Sequence, residues 1–338
     1  MKQSLLIAAV TFLFYSCSTD PNEEYNNKPG EFLSEVLPLT EFNSEYDDYN
    51  MALPANTLGQ SHLIFSSKRE KKQFLNLVYF PVVISYKQHA VLEKSDGTNT
   101  VNMGYLGAFN PAKSLAAWAN GNFNVYGPKV LSFEYDMASF GNAKDLVLFY
   151  ADDSEGNMEI KYLINNNKGI SGPFKFDILN SPKDDGYPSF SRFGDKIFFS
   201  SNRDGDFDIY ELSIPRVTGE INTVESLISP KKFQLRKVEE LSSDSDDKCP
   251  YFQDNMMVFV SDRPGGKGGH DIYYARLVNG KWSEPVNAGD RINTPHNEYR
   301  PIIPDLLNFT YPIVFFSSDR PGGKGGYDLY MTGLTEKR

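Results

Sequence analysis

Ser261-Asp262-Arg263-Pro264-Gly265-Gly266-Lys267-Gly268-Gly269-His270-Asp271-Ile272-Tyr273 returns at Ser318 to Tyr330 with two changes, His270 to Tyr327 and Ile272 to Leu329. Runs of β-formers flank each copy: Met257 to Val260 or Ile313 to Phe316 before it, Ile272 to Tyr274 or Leu329 to Met331 after it. Glycine between two such runs predicts a hairpin connection, so the copied unit is a small antiparallel sheet.

A shorter version occurs at Ile197 to Tyr210, where Ser201-Asn202-Arg203 leads to Asp208-Ile209-Tyr210. Two worn copies follow, Leu63 to Arg69 leading to Asn76 to Tyr79, and Leu146 to Asp153 leading to Glu159 to Tyr162, the second without its arginine. Upstream of every copy an acidic residue stands three positions before Pro or Met: Asp48 with Met51, Glu134 with Met137, Asp185 with Pro188, Asp247 with Pro250, Glu298 with Pro301. Periods of about 40 to 50 residues with about four strands each are the signature of propeller blades.

The expected fold is therefore an all-β propeller of five recognisable blades. Glu35 to Leu39 precedes the first anchor with no blade of its own, and is read as the outer strand that completes the last blade and closes the ring. Residues 87–122, inside the long gap between Met51 and Met137, read as an insertion. The alternative is a decayed sixth blade, since Asn120 to Tyr126 mimics Asp204 to Tyr210.

These repeats resemble the TolB-like, or WD40-like, propeller family, whose pattern is an inner strand with Pro and an acid, a run ending in Ser-x-Arg, then Asp-Ile-Tyr. The resemblance covers about residues 31 to 335 and is strongest in the last three repeats. Trp282-Ser283-Glu284-Pro285, Ile292 to Pro295 and Asn297-Glu298-Tyr299 look most like the propeller of some outer-membrane-associated bacterial proteins.

The start of the chain carries a different signal. Lys2 supplies positive charge, Leu5 to Tyr15 an apolar stretch too short to span a bilayer, and Ser16-Cys17 a small residue before cysteine. Residues 1–16 read as a lipoprotein signal peptide with Cys17 as the lipid attachment, and 17–30, polar and acidic, as a flexible tether to a propeller over 31–338. The implied location is the outer membrane, on its periplasmic or cell-surface face, held by the lipid alone. With Cys17 acylated, Cys249 has no partner, and its place beside Pro250 predicts a buried, inert thiol.

A content of 40% hydrophobic residues, with aromatics at 14%, suffices for blade cores. The formal charge of −10 argues against nucleic acid and anionic membranes and favours a cation or a basic ligand. His62, His89, His270 and His296 show no metal-ligand spacing, and no Gly-x-Ser-x-Gly elbow occurs. Gly265 to Gly269 is not a phosphate loop: no Ser or Thr follows its lysine, and it joins two strands. Glycine there supplies positive φ, with Asp262 and Asp271 accepting loop N–H groups. Asp152 to Glu159 and Asp204 to Asp208 bear clustered carboxylates but match no full calcium-loop spacing, and no cofactor is called for.

Repetition in a ring turns Asp48, Glu134, Asp185, Asp247 and Glu298 into a circle of acids near the tunnel mouth. Each of these acids is expected to cap its own turn or to pair with Arg69, Arg203, Arg263 or Arg320 of a neighbouring blade, joining the wedges. The functional expectation is a non-enzymatic, lipid-anchored binding or scaffold protein of the bacterial envelope. Its protein partner would be met by loop faces such as 87–122 and the basic connection Ser229 to Glu240. The alternative is a glycan-active enzyme with paired carboxylates at the tunnel mouth.

Overall fold

The computed structural model describes residues 32–53, 59–70, 73–87, 89–94, 111–136, 142–215, 223–304, 306 and 311–335. Cys17 and the segments read as signal peptide and tether, 1–16 and 17–30, lie outside them. Five antiparallel sheets follow one another along the chain, which settles the blade number at five. After β1 (Leu37–Pro38), blade 1 comprises β2 (Asp48–Ala52), β3 (Gly59–Ser67), β4 (Asn76–Lys87) and β5 (His89–Lys94). The helix α1 (Pro111–Ala119) leads to blade 2, of β6 (Val125–Asp136), β7 (Asn142–Asp152), β8 (Glu159–Asn166) and β9 (Gly169–Lys175). Blade 3 is β10 (Asp185–Phe190), β11 (Lys196–Ser201), β12 (Asp208–Ser213) and, after the short α2 (Val224–Ile228), β13 (Gln234–Lys237). Blade 4 is β14 (Asp247–Gln253), β15 (Met256–Ser261) and β16 (Asp271–Val278), edged by β17 (Lys281–Trp282) and β18 (Val286–Asn287). Blade 5 is β19 (Glu298–Ile302), β20 (Ile313–Ser318) and β21 (Asp328–Gly333), with β1 paired antiparallel to β21 as its outer strand. The N-terminal strand thus closes the ring as expected.

The segment 87–122 is divided between two duties. β5 is the outer strand of blade 1, while α1 opens on Pro111, whose missing N–H costs nothing at a first helical position. Ala112, Leu115, Ala116 and Ala119 fall on one face of α1, and that face packs on β4, β7 and β8. Asn124-Val125-Tyr126, which resembles the third strand of a blade, instead begins the inner strand of blade 2. Ser229 to Glu240 is likewise no free loop. It contains β13, where Arg236 pairs with Glu211 and Lys237 with Asp208, each at 2.7 Å.

The Pro/Met landmark has a geometric cause. Every inner strand carries a register shift at the same point, between Tyr49/Ala52, Tyr126/Lys129, Gly186/Ser189, Lys248/Tyr251 and Tyr299/Ile302. A bulge leaves residues out of the ladder, so proline can sit there without forfeiting a hydrogen bond. Within each bulge one residue has left-handed φ: Asn50 at 60°, Gly127 at 54°, Tyr187 at 56°, Cys249 at 57° and Arg300 at 47°. Only one of the five is glycine, so four blades accept the steric cost of a side chain in that region. In blade 2 the landmark is therefore Val125 with Pro128, not Glu134 with Met137. Glu134 lies farther along β6, apart from the other four acids, and Met137 lies outside the described residues.

Candidate functional site

The four remaining acids are structural. Asp48, Asp185, Asp247 and Glu298 are buried, and each accepts the backbone N–H and hydroxyl of a residue four positions earlier, Ser44, Ser181, Ser243 or Thr294. The remaining capacity goes to arginine: Arg69 to Asp48 and Arg203 to Asp185 at 2.7 Å, Arg263 to Asp247 at 2.5 Å, Arg320 to Glu298 at 3.0 Å. The pairing corrects the expectation of inter-blade bridges, because acid and arginine belong to the same sheet. The reason is reach: each guanidinium lies flat over two rings of its own blade, as Arg263 does at 5.3 Å from Phe259 and 5.0 Å from Tyr273. Its second bond goes to a carbonyl of the incoming linker, Phe42, Leu179, Leu241 or Ile292. A ring of acids saturated in this way neither attracts a cation nor catalyses.

Blades are joined by other groups. The residue just before each anchor position, Asp47, Asn124, Asp184, Asp246 or Asn297, accepts a backbone N–H from the preceding blade: Tyr327, Leu75, Met158, Phe207 or His270. The next residue donates its own N–H to the carbonyl of that same partner. One two-bond staple thus repeats five times around the ring, and asparagine and aspartate serve in it equally. The glycine-rich loops add contact of another kind, for a Cβ on Gly268 would stand 2.0 Å from the His296 carbonyl oxygen and one on Gly325 2.1 Å from that of Tyr46. They are flush faces against the next blade. Asp271 does accept loop N–H groups, from Lys267 and Gly268, whereas Asp262 accepts that of Asp246.

Above this framework, on the ring axis, lies a cavity of about 650 Å³, within the roughly 300–1,000 Å³ usual for small-ligand sites. Two sets of equivalent positions build its wall. The residue after the anchor position contributes Tyr49, Tyr126, Lys248 and Tyr299 from blades 1, 2, 4 and 5; the residue before the third strand contributes Met158, Phe207, His270 and Tyr327 from blades 2 to 5. Tyr187 forms part of the floor with its hydroxyl 3.3 Å from that of Tyr299, and the rings of Tyr49, Tyr299 and Tyr327 contact one another. Burial pushes the phenols upward, Tyr327 to about 12, so all stay protonated donors at neutral pH. Burial also lowers the His270 pKa, helped by the charge of Lys248, leaving a neutral imidazole whose buried Nε2 has no protein partner.

Two carboxylates line this cavity, Asp153 and Asp184. Asp153 is held by the N–H and side-chain amide of Asn124 at 2.8 and 2.7 Å and by the Tyr126 hydroxyl at 3.3 Å. Asp184 is held by Met158 N–H at 2.8 Å and the Asn202 amide at 3.2 Å. Neither is paired with a lysine or arginine among the described residues. The clusters weighed for calcium are differently engaged, Asp152 with Lys161 at 2.7 Å and Asp208 with Lys237 at 2.7 Å, while Asp204 accepts the Tyr210 hydroxyl.

No family model matches the chain, and no curated protein matches it in sequence. Among solved structures it is similar to an endo-arabinase from Bacteroides thetaiotaomicron, at 14% identity over 91% of this chain and 98% of that one, with a TM-score of 0.51. It is also matched to the catalytic domain of a GH62 α-L-arabinofuranosidase from Coprinopsis cinerea, at 12% identity over 91% and 98% of the two chains, with a TM-score of 0.49. The first likeness places the chain in the same fold. The first likeness corrects the TolB-like assignment, since the solved structure that shares this fold is named as an endo-arabinase. The Ser-x-Arg and Asp-Ile-Tyr elements that suggested it are mechanical parts of a blade and do not diagnose a family. The expectation of a non-enzymatic scaffold is corrected against the same structure.

Proposed function

We propose that the protein is a glycan-active enzyme whose substrate enters the tyrosine-walled cavity on the ring axis and is cleaved between Asp153 and Asp184. The observation that carries this reading is the pairing of two salt-bridge-free carboxylates with a wall of tyrosines. A sugar offers apolar C–H faces that pack on aromatic rings and hydroxyls that bond to phenols and amides. Glycosidic cleavage needs one carboxyl group to protonate the departing oxygen and a second to attack or to activate water. The endo-arabinase fold neighbour supports arabinose-containing polymers as the first substrates to try.

The repeats supply the control for a test. Asparagine already fills the place of Asp184 at Asn124 and Asn297 and that of Asp153 at Asn202, so Asp153→Asn and Asp184→Asn remove charge and keep the bond from a backbone N–H, of Asn124 or Met158, while giving up the one from the facing amide. Wild-type protein is expected to release reducing sugar from a panel of arabinans and arabinoxylans, and each variant to stay folded and to lose at least about 100-fold in kcat. Wild-type inactivity on the whole panel, or full activity in both variants, would overturn the proposal. The location is proposed to be the outer membrane, through a lipid on Cys17. Cys17→Ala should move the protein to the soluble fraction, and retention after a carbonate wash would sink that part alone.

A further inference from the structure

Beneath the tyrosine floor the tunnel changes sign. Arg300 is 1% exposed and Lys129 7%, and neither has a carboxylate within ion-pair distance among the described residues. Among the described residues the Arg300 side chain makes one long hydrogen bond, Nη1 to the Pro250 carbonyl at 3.4 Å, its guanidinium lies 5.6 Å from the centre of the Tyr187 ring, and its buried Nε has no partner. Lys129 Nζ stands 3.4 Å from the Tyr251 hydroxyl and 4.7 Å above that ring. Asn50, which holds the same bulge position in blade 1 as Arg300 in blade 5, is fully buried with both amide atoms unpaired.

An isolated cation in a protein interior costs several kcal/mol unless a counter-charge accompanies it, and here two cations share one tunnel. Among the described residues no neighbouring group serves. Burial pushes the Cys249 thiol up to about 11 and the Tyr187 and Tyr299 phenols well above their ordinary value, so all are neutral near pH 7. Burial, and then the charge of Arg300, lowers the Lys129 pKa to about 8, which leaves the ammonium largely charged at pH 7.

We infer that the tunnel is a binding site for one small monovalent anion, halide or formate-sized carboxylate, held between Arg300 and Lys129 with the Asn50 amide on the same ring. The anion supplies the charge that the burial of both cations requires, and Arg300 Nε offers a donor that no protein group uses. The three residues come from blades 5, 2 and 1, so the bound ion would tie together inner strands far apart in sequence. This site is independent of the glycan reading, since none of the three lines the axial cavity.

The test compares thermal melting of the full chain in chloride, in formate and in bulky gluconate at equal ionic strength, alongside diffraction from crystals soaked in bromide. Wild-type protein is expected to melt several degrees higher in chloride or formate than in gluconate, with an anomalous bromide peak between Arg300 and Lys129. A rise in chloride identifies a halide as the ion, and a rise in formate alone a carboxylate. Arg300→Met and Lys129→Met should each abolish the anion dependence, and either suffices if the other fails to fold. Identical wild-type melting in all three salts, a bromide-free tunnel in protein that chloride stabilises, or retained dependence in a folded variant overturns the inference.

Discussion

Blade 4 and blade 2 solve one problem with opposite chemistry. In blade 4 the inner strand provides the acid, Asp247, and Arg263 covers it while lying over Tyr273. In blade 2 the inner strand has Val125 there, and the acid has crossed to β7 as Asp152, which faces Val125 in the ladder as Ser261 faces Asp247. The cation has moved too: Lys161 replaces the tyrosine of Asp-Ile-Tyr and meets Asp152 at 2.7 Å. Although blade 2 lacks the arginine, Asp152 is as thoroughly covered as its counterparts. What the ring requires is a neutralised buried carboxylate at this point of each wedge, and which strand provides it is free to vary.

The largest effect that can break this comparison is Arg263→Ala. It strands a buried Asp247, and should lower unfolding free energy by about 3–5 kcal/mol in chemical denaturation. A cost under about 1 kcal/mol would mean that the pair is ornamental. Lys161→Met should cost about 3 kcal/mol for the same reason, softened because Ser154 donates twice to Asp152. The comparison is sharpened by giving blade 2 the arrangement of blade 4, through Val125→Asp, Asp152→Ser, Ser154→Arg and Lys161→Tyr together. The fourfold variant should return to within about 1 kcal/mol of wild type although Asp152→Ser alone is strongly destabilising.

Lys129 gives a pH signature. Its folded pKa of about 8 lies below the ordinary 10.5, so between those values the unfolded chain binds more protons than the folded one, and stability contributed by this residue rises with pH through that window. In gluconate the difference between wild type and Lys129→Met should shrink as pH goes from 7.5 to 9, by an amount on the order of 1 kcal/mol. A pH-independent difference would show an unburied ammonium. The smallest expected effect on stability is that of Asp184→Asn, within about 1 kcal/mol, because the staple bond from Met158 survives and only that from the Asn202 amide is lost.

Much of this was legible because framework residues repeat. Ser-x-Arg, Asp-Ile-Tyr and the acid three before Pro marked the strands, and Glu35 to Leu39 the ring closure, without any structure, whereas the bulge behind the Pro/Met landmark shows only in the ladder register. Blade 2 was misread because its acid, cation and anchor all moved, and Glu134 happened to stand three before Met137. Earlier landmarks were missed altogether: Asn43, Asn120, Asn180 and Asn293 each clamp the N–H and carbonyl of the preceding blade's third strand. The site was hidden for the converse reason. Its walls come from equivalent positions that differ from blade to blade, and one signal was in plain view, since His270 and Tyr327, the main change between the twin glycine-rich stretches, both face the cavity. In a repeat protein the scaffold is read from what recurs and the site from what departs.

The pairing of β1 with β21 sets an order in time. Among the strands of the ring, synthesis delivers Leu37–Pro38 before all others and Asp328–Gly333 after them, so four sheets can assemble as they emerge from the ribosome while the first strand waits unpaired for its partner. Until β21 emerges the nascent ring is a crescent with an open sheet edge, the element most prone to pair with another chain. The six residues of β21 determine whether the molecule closes on itself or on a neighbour.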